Sequence, residues 1–134
     1  MGIPRLPDAE LLVMNIIWKG TRKVSEEETE EESGEMSSVQ VAKILEGQKD
    51  WSATTILTFL SRLVERGFLT VRKEKRQNFY RAAVEESTYI ESESKSFLER
   101  FHGNSITSLV AALCNDNAIS KEDLAELRRF IDER

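Results

Sequence analysis

The side chains best suited to bind a ligand lie on a stretch that favours a helix, residues 52–66. Apolar residues recur there at the spacing i, i+3, i+4 and i+7, which places them on one helical face. They are Ile56, Phe59, Leu60 and Leu63. The other face carries hydroxyl groups and a guanidinium group, which can hydrogen-bond to base edges and phosphates. These side chains are Thr54, Thr55, Thr58 and Arg62. The pattern predicts a helix that packs on one side and enters a DNA major groove with the other.

Ser52 stands at the start of this helix, where its hydroxyl is placed to cap the exposed backbone amides. The amino end of a helix also favours a nearby phosphate. We therefore include Ser52 among the candidate DNA-binding residues, with N-capping as the commoner role of such a serine.

A basic hairpin follows the helix directly. After Gly67, residues 69–72 and 79–83 alternate as two strands would, and the segment between them is rich in lysine and arginine. We expect four of these cations to contact DNA phosphates. They are Lys73, Lys75, Arg76 and Arg81. The turn contains no glycine, the residue that adopts positive φ most readily. A helix followed by such a wing, residues 70–83, is typical of a winged helix-turn-helix.

Two further helices are predicted before this one. The first begins near Asp8 and extends to Gly20, and the second begins at Ser37 or Ser38 and ends at Gly47. Met36 is expected to start a short strand that pairs with the wing. Residues 22–35 are interpreted as an acidic inserted loop, either inert or involved in docking a partner or repelling DNA.

The distribution of charge agrees with a DNA-binding segment. The net charge is −5 for the whole chain, but it is +5 for residues 36–84 and −5 for each of residues 22–35 and 85–134. Affinity for phosphate depends on the local charge near the duplex, so the acidic ends do not exclude nucleic acid. A solvated basic hairpin without a DNA-binding role would give the same count.

Residues 85–134 form a separate segment with three predicted amphipathic helices: 87–101, 105–114 and one that begins at Ser120. Such short helices with little sequence between them cannot each bury a face internally. We therefore expect this segment to form a symmetric homodimer. The predicted dimerisation residues are Ile90, Phe97, Phe101, Ile106, Leu109, Val110, Leu113, Leu124, Leu127 and Ile131.

Several classes of protein are not indicated. No apolar run approaches the roughly 20 residues that span a bilayer, and a signal-peptide pattern is absent, so we expect a cytoplasmic protein without membrane insertion. One cysteine, Cys114, and one histidine, His102, make neither a disulfide nor a metal site. No metal, cofactor or catalytic residue is expected, and the chain is not interpreted as an enzyme.

Three segments carry a resemblance to a known family. LPDAELLVMNIIW (residues 6–18), DWSATTILTFLSRLVERGFL (50–69) and RKEKRQNFY (72–80) resemble the penicillinase-repressor family of bacterial regulators, the BlaI/MecI/CopY type. The resemblance implies a mostly α fold with a small β wing: a winged helix-turn-helix domain at residues 1–84 and a three-helix dimerisation domain at 85–134. It also implies a homodimeric transcriptional repressor that binds a pseudo-palindromic operator in double-stranded DNA.

This sequence departs from the family pattern in two ways. Thr54 stands where many relatives have lysine. In β-lactam-responsive relatives a membrane sensor-protease triggers cleavage at an Asn-Phe bond, whereas the corresponding residues here are Ala112 and Leu113. A sensor-protease of that specificity is therefore a weaker candidate partner than DNA. Paired Cys-x-Cys motifs of copper sensors are absent.

Two other functions remain compatible with the same fold. One is a winged helix used for protein-protein interaction, and the other is a regulator released by a small-molecule ligand at the dimer interface. The first has no need for a +5 segment with exposed hydroxyl groups, and the second requires a pocket among short helices.

Overall fold

The structure is a computed structural model that describes residues 3–26 and 34–134. It divides into two compact units, Met1–Ile90 and Glu91–Arg134. The described elements are α1 (Asp8–Glu26), β1 (Glu35–Ser37), α2 (Ser38–Leu45), α3 (Ala53–Glu65), β2 (Leu69–Glu74), β3 (Gln77–Ala82), α4 (Glu86–His102), α5 (Ile106–Asn115) and α6 (Lys121–Asp132). The predicted fold class, mostly α with a small β wing, is confirmed.

The first helix is longer than the sequence predicted. α1 continues past Gly20 to Glu26, so residues 22–26 are helical rather than part of an inserted loop, and Glu35 belongs to β1. One glycine in a helix costs only about 1 kcal/mol relative to alanine, and the residues that follow include good helix formers and no proline. The remainder of the predicted loop, residues 27–33, lies outside the described residues.

The core of the first unit forms between α1, α3 and the sheet. Ile56, Leu60 and Leu63 of α3 are buried, and Phe59 is partly buried with its ring centroid 4.9 Å from that of Trp51. The predicted apolar stripe is therefore confirmed. Each large apolar side chain buried in this way contributes about 1.5–3 kcal/mol. The largest fully buried side chain, Phe68, follows α3 directly.

Local hydrogen bonds fix the start of α2. The Ser37 hydroxyl accepts from the Gln40 amide at 3.2 Å, and the Gln40 side chain accepts from the Ser37 amide at 2.8 Å. This capping box satisfies two amides at the helix start that would otherwise be unpaired. After α2, Gly47 adopts a φ of +84°, and the chain turns into α3 to complete a helix-turn-helix.

The sheet is antiparallel, with strand order β1-β3-β2. Met36 pairs with Tyr80, which confirms the predicted strand at Met36, and Val71 pairs with Tyr80 from the other side. Met36 and Tyr80 are buried. Because side chains alternate along a strand, their neighbours Glu35, Phe79 and Arg81 lie on the opposite face of the sheet.

The hairpin turn between β2 and β3 has two central residues in the left-handed region. Lys75 has a φ of 46° and Arg76 a φ of 68°, and Glu74 pairs with Gln77 on either side. This geometry corresponds to a type I′ turn, which asparagine and glycine adopt with the least strain. The turn therefore carries two cations in a conformation that ordinary side chains disfavour.

Tyr89, in the first turns of α4, joins both ends of the first unit. Its hydroxyl accepts a buried hydrogen bond from the Leu6 amide at 3.0 Å, and its ring centroid lies 5.7 Å from Trp18 and 5.6 Å from Phe68. Trp18 in turn donates from Nε1 to the Val84 carbonyl at 2.9 Å. These contacts explain why the first unit ends at Ile90 rather than at the predicted boundary, residue 84.

The second unit contains the rest of α4 together with α5 and α6. Hydroxyl groups cap the last two helices: Ser105 accepts from the Ser108 amide, and Ser120, where the third helix was predicted to begin, forms a capping box with Asp123. His102 at the end of α4 lies 2.9 Å from the Ser108 hydroxyl through Nδ1. The helical bounds are therefore set locally, independently of any partner.

Removing the Tyr89 hydroxyl should destabilise the first unit. Tyr89→Phe keeps the ring but leaves the buried Leu6 amide without its acceptor, which costs about 1–3 kcal/mol. Urea denaturation followed by circular dichroism measures this loss. In the matched control, Tyr80→Phe, the missing partner is the half-exposed Asn78 amide at 3.4 Å, which water can reach, so the loss should be smaller. Equal losses in the two variants would contradict this role for Tyr89.

Relieving the strained turn should stabilise the protein. The double variant Lys75→Asn, Arg76→Gly supplies the pair that a type I′ turn prefers and should raise the free energy of unfolding by about 1 kcal/mol. The control, Lys73→Asn, removes a cation from β2 outside the left-handed positions and should bring no gain. The test compares the denaturant midpoints of the unmodified protein, the double variant and the control. An unchanged or lower midpoint in the double variant would show that the turn is not strained.

Candidate nucleic-acid interface

The amino end of α3 is built around the Ser52 hydroxyl. It accepts from the Thr55 amide at 3.1 Å and lies 3.0 Å from the Thr55 hydroxyl. The predicted N-cap is therefore confirmed. The remaining amides of this first turn lie at an exposed helix end, where backbone dipoles favour an anion.

Thr58 presents its hydroxyl in a defined orientation. Its Oγ1 donates to the Thr54 carbonyl at 3.0 Å, which directs the hydrogen toward the helix. The oxygen lone pairs and the methyl group remain available. Lone pairs of this kind accept from base amino groups, and a threonine methyl contacts the thymine methyl group.

The polar face of α3 is open to solvent. Thr54, Thr58 and Arg62 follow one another at intervals of four residues and are all exposed, with Thr55 half-buried beside them. The Arg62 guanidinium forms no ion pair with another residue in the described part of the chain. The structure thus brings these predicted residues together on the face opposite the buried stripe.

The carboxyl end of α3 is held to α1 by a buried carboxylate. Glu10 is only 2% exposed, and its Oε1 lies 3.2 Å from Nε of Arg66, the C-cap residue of α3. The contact is an ion pair rather than an aligned hydrogen bond, because Oε1 has no hydrogen-bond partner. A buried charge that loses its partner is strongly destabilising, so the pair fixes the direction of α3 on α1.

The tip of the wing carries three exposed cations, Lys73, Lys75 and Arg76. Among the residues that the structure describes, none of them is paired with a carboxylate. Lys75 and Arg76 occupy the centre of the turn and Lys73 pairs with Asn78 across the hairpin. These are three of the four predicted wing cations.

The fourth predicted cation, Arg81, has a different environment. Its Nη2 lies 3.6 Å from Glu35 Oε1, across the β1-β3 pair. Arg72, which sequence reasoning did not select, lies on the same face and binds Glu35 through Nε at 3.0 Å and also Glu74. Hydrogen bonds to Glu74 and then to Glu35 raise the pKa of Arg72 above its ordinary value, so this guanidinium stays charged.

A groove of about 520 Å³ runs beside this cluster on the outer face of the sheet. The Arg72 guanidinium covers the Phe79 ring at 4.8 Å along one side. Of the charged lining residues, Glu35 and Glu74 both pair with Arg72, so the groove offers little unpaired charge to a ligand.

The second unit exposes apolar side chains on all three of its helices. The exposed fraction is 61% for Phe101, 66% for Ile106 and 61% for Ile131. Further predicted dimerisation residues are exposed or half-buried: Phe97, Leu109, Val110, Leu113, Leu124 and Leu127. Phe130, 57% exposed, was missed because the pattern on α6 was traced only through Leu124, Leu127 and Ile131. Ile90, also exposed, belongs to the first unit.

Other kinds of site were also considered. Within residues 3–26 and 34–134, no group of three histidine, cysteine, aspartate or glutamate side chains is placed to hold a metal ion. None of the helices within those residues combines the length and the hydrophobicity of a membrane-spanning segment. Cys114 is a free thiol, half-buried on α5.

Comparison with known proteins places these features in a family. The family model described as "Penicillinase repressor" matches residues 6–133. The penicillinase repressor of Bacillus licheniformis is 35% identical over 131 residues, covering 98% of this chain and 92% of that protein. The methicillin resistance regulatory protein MecI of Staphylococcus aureus strain N315 is 30% identical over 129 residues, covering 96% and 94%.

A solved structure agrees with the first unit. The solution structure of the DNA-binding domain of the repressor BlaI aligns with a TM-score of 0.50 and 36% identity, covering 65% of this chain and 90% of that domain. The family match covers nearly the whole described chain, including both units. The chain therefore belongs to the penicillinase repressor family.

Proposed function

We propose that this protein is a transcriptional repressor that binds a pseudo-palindromic operator as a homodimer and blocks the promoter. The observation that carries the proposal is the polar, solvent-open face of α3 together with three exposed cations at the tip of the wing, which have no carboxylate partner among the described residues. Relatives named as repressors support it. A DNA target also implies that the protein acts in the cytoplasm.

The chemistry of α3 fits readout in the major groove. An α-helix fits that groove, and Thr54, Thr55 and Thr58 are short enough to let the backbone approach the bases. Arg62 has the bidentate donor geometry that guanine and phosphate accept. Ser52 fixes the helix start at which a phosphate is favoured. We assign base and phosphate contact to Thr54, Thr55, Thr58 and Arg62, and phosphate contact to the helix start at Ser52.

The wing supplies contacts that do not depend on sequence. One short hairpin carries three exposed positive charges, those of Lys73, Lys75 and Arg76. Each phosphate that they neutralise releases condensed counterions. Binding through the wing should therefore weaken steeply with salt. The wing adds affinity and register, and α3 adds specificity.

Dimerisation is proposed to occur through the second unit. Phe101, Ile106 and Ile131 are exposed apolar side chains on three different helices of the second unit. Exposed apolar side chains on several helices of one unit are candidates for an interaction surface. A symmetric pair would present two copies of α3 to half-sites about one helical turn, or a multiple of it, apart.

Release from DNA by proteolysis would require local unfolding. Ala112 and Leu113, which correspond to the cleavage position of β-lactam-responsive relatives, lie inside α5. A helical peptide bond must open before it can enter a protease as an extended strand. A membrane sensor-protease thus remains a secondary candidate partner, and a cut there would remove the avidity of two half-sites.

Two alternatives are less well supported. A winged helix that only binds proteins has no use for exposed hydroxyl groups on α3 together with wing cations that lack a carboxylate partner in the described part of the chain. A regulator released by a small molecule requires a pocket at the dimer interface, whereas the 520 Å³ groove lies on the outer face of the wing sheet, beside α2.

The direct test of the proposal is DNA binding. Fluorescence anisotropy of a labelled duplex from the region upstream of this protein's gene, compared with a scrambled duplex, should show tight and selective binding that falls with salt. Arg62→Ala should weaken operator binding and reduce the preference over the scrambled duplex. Arg76→Ala should weaken both equally and reduce the salt slope by about 1.

The matched control for lost charge is Lys19→Ala, because Lys19 is an exposed cation on α1 that the assigned interface does not include. Its affinity should equal that of the unmodified protein. Unchanged affinity in both Arg62→Ala and Arg76→Ala would refute the assigned interface.

Dimerisation is tested by replacing apolar side chains of the proposed interface with polar ones. Phe101→Ser with Ile131→Ser should shift the protein from dimer to monomer in sedimentation velocity runs. Both side chains are 61% exposed in the single chain, so the folded monomer loses little packing. Glu99→Ser with Glu126→Ser, on the same two helices, is the control and should stay dimeric. A dimer that survives the apolar substitutions would place the interface elsewhere.

A further inference from the structure

We infer that Leu57 contacts the 5-methyl group of a thymine in the operator, which makes it a specificity-determining residue that the assigned DNA interface leaves out. The inference rests on the proposed function and deepens the role of α3 in it. It is carried by the position and the exposure of one apolar side chain on the outer side of this helix.

Leu57 is exposed on a helix whose other large apolar residues are covered. Leu57 is 40% exposed, whereas Ile56, Leu60 and Leu63 are buried. The whole of α3 lies in the described part of the chain, and Leu57 is its only large apolar residue that is exposed. A substantial part of the Leu57 side chain is therefore left uncovered after the core of the first unit has formed.

The helical spacing places Leu57 among the groups assigned to DNA. Residues four positions apart lie next to each other on a helix, so Ala53, Leu57 and Ser61 form one row along α3. All three are exposed. The neighbouring row carries Thr54 and Thr58, which are exposed as well. A helix that enters a groove with Thr54 and Thr58 thus brings Leu57 in beside them.

The chemistry of the major groove determines what a leucine can contact there. Base edges present hydrogen-bond donors and acceptors, and thymine alone among the four bases adds an apolar group, its 5-methyl. A donor or acceptor that is covered by a leucine loses water without gaining a partner, which costs free energy. Leu57 should therefore favour a thymine methyl group and disfavour the amino group of cytosine.

The surface around Leu57 fits a single methyl group better than a protein partner. An apolar patch that binds proteins typically covers roughly several hundred Å². On α3 the neighbours of Leu57 at positions 54, 58 and 61 are threonine and serine, which surround it with hydroxyl groups. These hydroxyl groups suit the donors and acceptors that flank a thymine methyl group in the groove.

The test combines a variant of Leu57 with duplexes that lack single methyl groups. Replacing one thymine of the upstream duplex by deoxyuridine removes the 5-methyl group and leaves the base pair intact. At the position that Leu57 contacts, this change should weaken binding by the unmodified protein about fourfold, the effect of about one buried methylene. In Leu57→Ala the same replacement should have no effect. The salt slope of Leu57→Ala should equal that of the unmodified protein, because no cation is removed.

Two further variants serve as controls. Leu57→Met keeps an apolar side chain of similar size and should retain the weaker binding to the uracil duplex. Ile44→Ala truncates a 43% exposed apolar residue of α2 that the assigned interface does not include, and it should retain the effect of uracil as well. Thermal unfolding of all variants checks that the fold is retained.

Two results would overturn the inference. One is an effect of uracil that persists in Leu57→Ala, which would assign the methyl contact to another side chain such as Thr58. The other is a scan in which no single thymine of the upstream duplex is sensitive to loss of its methyl group. If the unmodified protein does not bind the upstream duplex selectively, the proposed function fails first, which distinguishes the two failures.

Discussion

Burial of Ile56, Leu60 and Leu63 against α1 and the sheet holds α3 at one orientation, and the rest of the first unit depends on that packing. Because one face of the helix is packed against the core, the side chains on the opposite face must point into solvent. The Glu10 to Arg66 ion pair adds a directional contact at the far end, because a buried carboxylate is stable only while its partner stays in reach. Ser52 fixes the near end. Apolar burial thus sets the position of α3 and two polar contacts set its ends.

The wing follows a different physical logic. Its strands are short and mostly exposed, and its turn places Lys75 and Arg76 at positive φ, where glycine would fit better. Backbone strain of this kind is found where a conformation or side chain serves a function. Two sets of cations result: those at the tip have no described carboxylate partner, while Arg72 and Arg81 share Glu35. The hairpin therefore has a charged end and a neutralised face.

Sequence patterns predicted the parts of this structure that depend on near neighbours. The apolar stripe of α3, its serine cap and the strand at Met36 all follow from local spacing or residue type. The predictions that differed depend on distant partners. The local pattern selected Arg81 as a wing cation and could not show that β1 places Glu35 beside it. The end of α1 is an exception with a local cause, because no proline follows Gly20 to end the helix. A local sequence pattern likewise could not predict that Tyr89 packs in the core of the first unit.

The hydrogen bond from the Leu6 amide to Tyr89 determines where the chain can be cleaved without disrupting the first unit. This hydrogen bond connects the first residues of the first unit to the beginning of α4, the helix that leads into the second unit. A chain severed beyond Ile90 keeps this closure, whereas one severed at residue 84 loses the Tyr89 ring that packs against Trp18 and Phe68. The site of a break would therefore decide whether the first unit keeps a complete aromatic core or loses the side chain that joins its two ends.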